Sequence, residues 1–106
     1  MNISDKLNLI LREYSSGNKE SAYKKFKKIY LKNNNDLKLR YNLAVMQQEL
    51  GLLDEAETNY ISLVESNENA KYKINLYNIY ITKKFVLFAY TANIKFFWFK
   101  FLIFYK

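Results

Sequence analysis

Apolar side chains recur along this chain at steps of three and four, the spacing of one face of an α-helix. Leu39, Leu43, Met46 and Leu50 form the clearest stripe and predict an amphipathic helix. Asp36, following Asn33, Asn34 and Asn35, suits its N-cap, and Gly51 suits the position just past its C-terminus, where a left-handed backbone carries no Cβ penalty. Asp54 and Glu55 favour the first turn of a second helix through its dipole. Ala56 is small where two helices would approach most closely, and Tyr60, Leu63 and Val64 follow at helical spacing. An earlier stretch has the same plan. Leu7, Leu9, Ile10 and Leu11 give an apolar face, Ser15-Ser16-Gly17-Asn18 breaks it, and Ala22, Phe26, Ile29 and Tyr30 line a second helix. Beyond residue 70, Ile74, Tyr77, Tyr80 and Ile81 predict one more helix, with Lys83 and Lys84 near its C-terminal dipole.

The two stretches are copies. Gly17 and Gly51 lie 34 residues apart, and the same offset pairs Leu9 with Leu43, Ala22 with Ala56, Phe26 with Tyr60 and Ile29 with Leu63. Lys19 against Leu53 is the clear mismatch. A period of 34 in the order large apolar, Gly, Ala, aromatic resembles the tetratricopeptide repeat, carried best by Tyr41-Asn42-Leu43-Ala44, Gly51 to Ala56, Tyr60 and Leu63. The resemblance implies an all-α fold, an α-solenoid of antiparallel helix-turn-helix units. It divides the chain into a first repeat over residues 3–36, a second over 37–70, the first helix of a third over 71–84, and an anomalous tail over 85–106. In the third copy Phe85 and Tyr90 stand where Gly and Ala are expected, and Ala89 and Ala92 do not restore the spacing under a one-residue shift.

The resemblance also implies a role. Tetratricopeptide repeats hold a peptide or helix against the concave surface made by successive first helices, without catalysis. The groove positions map to Leu7, Leu11 and Tyr14, to Tyr41, Val45 and Gln48, and to Tyr72, Asn75 and Ile79. Leu9, Gly17, Ala22, Phe26, Leu43, Gly51, Ala56 and Tyr60 are implied as the structural residues of the motif. Members that clamp the C-terminal carboxylates of chaperone tails use Lys and Asn where this chain has Leu7, Leu11, Tyr72 and Leu76, and only Asn42 matches. A protein or peptide partner is expected, and a chaperone tail is not.

Composition narrows the chemistry. With no Cys and no His, thiol catalysis, zinc thiolate sites and imidazole bases are excluded. No Gly-rich phosphate loop is present, and the cluster Asp54, Glu55 and Glu57 suits a helix start, so no enzyme activity, cofactor, metal or small-molecule substrate is expected. The formal charge of +7 is not spread evenly. Residues 1–68 hold ten basic and ten acidic side chains, whereas 69–106 hold Lys71, Lys73, Lys83, Lys84, Lys95, Lys100 and Lys106 and no acid. Lys24, Lys25, Lys27, Lys28 and Lys32 fall between apolar contacts, as on the solvated face of a surface helix.

The tail keeps three readings open. It could be an aromatic, lysine-flanked membrane segment, although Lys95 and Lys100 favour interfacial binding over spanning. It could be a degenerate helix covering the open end of the stack. Or it could be the product of truncation or frameshift after residue 84, in an AT-rich gene from a low-GC, bacterial genome suggested by the abundance of Asn, Lys, Ile and Tyr. Lysines interleaved with aromatics leave single-stranded nucleic acid as a further alternative partner, and an uncapped end leaves self-association open. No secretory signal is evident at Met1 to Asp5, so the expected location is cytoplasmic, with membrane association through the tail as the alternative.

Overall fold

Asn2 and Asp36, 34 residues apart, each begin a helix by accepting backbone N–H groups into the side chain: Asn2 Oδ1 from Asp5 at 2.8 Å, and Asp36 Oδ1 from Lys38 and Leu39 at 2.9 and 3.1 Å. The helices that follow are α1 (Ile3–Ser15) and α3 (Leu37–Glu49). Both end in one way. Gly17 (φ 109°) and Gly51 (φ 80°) take the left-handed conformation just past the C-cap. In each turn two N–H groups reach back into the last helical turn: Gly17 to Tyr14 and Asn18 to Glu13, then Gly51 to Gln48 and Leu52 to Gln47, at 2.8–3.2 Å. This is the Schellman arrangement, which satisfies carbonyls that the helix end would leave open. The chain then enters α2 (Lys19–Lys32) and α4 (Leu53–Ser66). A fifth helix, α5 (Ala70–Phe104), completes the computed structural model, which describes residues 1–104, with side chains through residue 93 and at 100.

Among the described residues the protein is all-helical, and each helix packs on its neighbours in sequence. Directions follow from the cross-links. Arg40 near the start of α3 bonds Ser62 near the end of α4, while Gln47 near the end of α3 accepts from Asn59, an earlier residue at the middle of α4, so the two helices are antiparallel. Lys25 of α2 reaches Glu13 late in α1 at 2.8 Å in the same sense.

Two apolar clusters share α3. Leu39, Leu43 and Met46 face back onto Ile10 of α1 and Ala22, Tyr23, Phe26 and Tyr30 of α2, whereas Ala44 faces forward onto Ala56, Tyr60 and Leu63 of α4 and Tyr72 and Ile79 of α5. Ala22 and Ala56 have no exposure, as close helix approach requires. Leu9 differs from its counterpart Leu43. It is 48% exposed, because the face that Leu43 packs against α2 has no preceding helix to meet in α1. Asp5 and Arg12 occupy the α1 positions matching Leu39 and Met46, so that outer face is largely polar.

The helix beyond residue 70, α5, departs from expectation in two ways. The stripe of α5 turned to α4 is Tyr72, Leu76, Ile79 and Lys83, not Ile74, Tyr77, Tyr80 and Ile81, all four of which are exposed. Its spacing repeats Leu39, Leu43, Met46 and Leu50 at an offset of 33, and Asn69, which accepts the Lys71 N–H at 2.9 Å, stands 33 residues after Asp36. One residue fewer in the preceding connection turned the apolar side that α4 covers. Second, α5 does not stop at Lys84. Lys84 and Phe85 stand where a glycine would have to reverse the chain, and no Gly or Pro follows, so the helix runs on. Lys83 therefore meets no C-terminal dipole; it pairs with Asp54 at 2.6 Å and with Glu57. Among the described residues no helix is long and apolar enough to cross a membrane. Through residue 93 the tail continues α5 and does not fold back over the stack; the remaining tail side chains, apart from Lys100, lie outside the described residues.

Candidate binding surface

α3 touches both α1 and α5 directly. The Tyr14 hydroxyl on α1 donates to the Glu49 carboxylate at the end of α3. Tyr41 on α3 accepts from Asn75 of α5 at 3.0 Å, and its ring lies 5.6 Å from Tyr72 and 6.2 Å, edge-on, from Tyr60. Lys71 places its ammonium 4.1 Å from the Tyr41 ring centroid, a cation–π contact on the outer side of the same tyrosine. The result is a row of three side-by-side helices stitched by tyrosines.

The nine residues expected in a groove are placed unevenly on this row. Leu11 is exposed, and Leu7, Tyr14, Tyr41, Val45, Gln48 and Asn75 are half-buried. Four of these are already engaged within the chain: Tyr14 with Glu49, Tyr41 with Asn75, and Gln48 as acceptor for the Tyr60 hydroxyl at 3.1 Å. Tyr72 and Ile79 are buried against α4 and offer a partner almost nothing. The offset of 33 explains this, because it makes Ile74, Asn78 and Ile81 the counterparts of Tyr41, Val45 and Gln48, and all three are exposed. The motif residues Ala22, Phe26, Leu43, Ala56 and Tyr60 are buried, Leu9 is not, and Gly17 and Gly51 occupy the two tight turns.

Sequence reasoning missed three cross-links. Gln47 is 2% exposed; its Nε2 donates to the Tyr23 hydroxyl at 3.0 Å and its Oε1 accepts from Asn59 at 2.7 Å, tying α2, α3 and α4 together. Arg40 bonds the Tyr30 hydroxyl at 2.8 Å, Ser62, and the Asn34 carbonyl at 3.2 Å. Lys83 engages two of the three acids of the Asp54, Glu55 and Glu57 cluster, and among the described residues no group of acidic side chains is arranged to hold a metal ion. Elsewhere a cleft of about 770 Å³ beside Lys19, Lys24, Lys25 and Lys28 lies at the start of α2.

These contacts set the alkaline limit of the fold. Burial, then the bond to Glu49, pushes the Tyr14 hydroxyl up from 10.0 to about 12; burial raises Tyr60 as well. The hydrogen bonds to Asp54 and then Glu57 raise Lys83 from 10.5 to about 12. All three groups hold protons more tightly folded than unfolded, so their contribution is complete below the unfolded values near 10, and that of Tyr14 and Lys83 is lost as pH rises through about 12. Thermal melts followed by circular dichroism are expected to show a midpoint insensitive to these groups up to about pH 10 and a steep fall above it. A midpoint flat to pH 12 would refute this linkage.

No family model matches this chain, and no match to it was found among curated proteins or solved structures.

Proposed function

We propose that this chain is a non-catalytic tetratricopeptide-type scaffold that binds a peptide or helix of another protein across the row of first helices. The observation that carries the reading is the repetition of structure at 34 residues: α1 and α3 match in length, side-chain N-cap and Schellman turn, and α2 and α4 match in length. Such units expose one side of each first helix along a continuous face. On that face Leu11, Ile74 and Ile81 are exposed apolar side chains between half-buried tyrosines, with Lys71 and Glu49 as charges at its edges. Tyrosine gives large contact area with a polar tip and few rotamers to freeze, which suits peptide recognition.

Selection of binders from a displayed random-peptide library against the full chain tests this. Leu11→Glu, Ile74→Glu or Ile81→Glu is expected to weaken a selected peptide about tenfold, roughly 1.4 kcal/mol. Leu31→Glu, at an exposed position on α2, is expected to leave it unchanged. Binders that ignore the first three substitutions, or respond equally to the fourth, refute the groove. Calorimetry with an acidic C-terminal peptide is expected to show no micromolar binding, since the lysines of a carboxylate clamp are missing.

A further inference from the structure

We propose that the part of α5 beyond α4 is an interfacial anchor for an anionic bilayer, independent of what the repeat face binds. The geometry is simple. α4 begins at Leu53, and Lys83 of α5 is pinned to Asp54 and Glu57 at that same end, so α5 runs past α4 from this point. The next 21 residues of helix add about 30 Å, contributing to a molecule 68 Å long but only 19 Å thick. Phe85, Val86, Leu87, Phe88 and Tyr90 point to every side of the helix, and all are 55–72% exposed. Exposed apolar surface of this extent is a binding surface or an aggregation hazard.

Charge chooses the occupant. Lys73 and Lys84, both exposed, are spaced by eleven residues, three helical turns, and so form one line along α5; Lys95 and Lys106 continue the interval in sequence. Exposed Tyr77, Tyr80, Phe88 and Thr91 fall along the same line between the lysines. No acid follows Glu68, so a second copy of α5 would bring lysine against lysine. An anionic headgroup layer meets the same line favourably while the acyl region takes Val86 and Tyr90, which lie on the side of the helix away from Lys84. The lysine line also explains a helix that rests in the interface rather than crossing: its stems lie along apolar surface while the ammonium groups stay at the headgroups.

Trp98, the sole tryptophan, is the probe. With the full chain and vesicles of phosphatidylcholine containing about 30 mol% phosphatidylserine, Trp98 emission is expected to shift to the blue and the chain to float with the vesicles, and to be released by about 0.5 M NaCl. Lys84→Gln with Lys95→Gln is expected to lower the partition coefficient about 25-fold, near fivefold for each lysine. Partition equal on pure phosphatidylcholine, or unchanged in the double variant, overturns the proposal. So does a chain that self-associates through this segment and ignores vesicles, or one that binds single-stranded oligonucleotides in a salt-dependent way without partitioning.

Discussion

Tyr60→Ala is expected to cost about 3–5 kcal/mol, most of the stability of a domain this small. Tyr60 has no exposed surface, packs with Ala44, Ala56, Leu63 and Ile79, and sets its ring edge-on against Tyr41. Truncation would open a cavity bounded by α3, α4 and α5 together, and three helices joined by tight connections cannot all close in on it. The hydroxyl contributes less. It donates to Gln48 at 3.1 Å, so Tyr60→Phe should lose only about 0.5–1.5 kcal/mol. Urea denaturation of both variants checks this. A Tyr60→Ala chain within about 1 kcal/mol of the parent would mean that the second cluster is not a close-packed core.

Gln47→Leu is expected to destabilise by about 2–4 kcal/mol even though leucine is apolar and similar in size. A hydrophobic residue at a buried position usually helps, but here two partners have been arranged around the amide. Tyr23 is 8% exposed and loses the donor to its hydroxyl, while the Asn59 amide loses its acceptor. Unpaired groups with restricted access to water carry most of the penalty. The mechanism has its own signature. In a Tyr23→Phe background the same substitution should cost at least about 1 kcal/mol less, because one of the stranded groups is already gone. Additive effects in the double-mutant cycle would show that Gln47 acts through volume rather than through its hydrogen bonds.

Much of the helical plan could be read from local chemistry. Asp36 as N-cap, the two glycine turns and the small Ala22 and Ala56 each act over a few residues, so their residue types carry the information directly. What escaped depended on neighbours. Both sides of α5 are apolar, and only the length of the connection after α4 decides that Tyr72 and Ile79 go inward while Ile74 and Ile81 stay out. Leu9 and Leu43 are the same residue at matching positions, yet one has a helix in front of it and the other does not. Gln47 and Arg40 read as ordinary polar positions of a surface helix, and their roles appear only when three helices converge. Of the nine positions expected in a groove, Leu11 is exposed and six are half-buried, whereas Tyr72 and Ile79 are buried against α4.

Because each helix packs on its neighbours in the chain, the order of synthesis is also the order of assembly. At roughly 5–20 residues per second on the ribosome, α1 and α2 emerge first and can pack on each other before α3 leaves the exit tunnel, and each later helix then meets a surface already formed. The end of α5 is the exception. From Lys84 onward the emerging helix runs past α4, and Phe85, Val86, Leu87, Phe88 and Tyr90 stay exposed after the earlier helices have packed on one another.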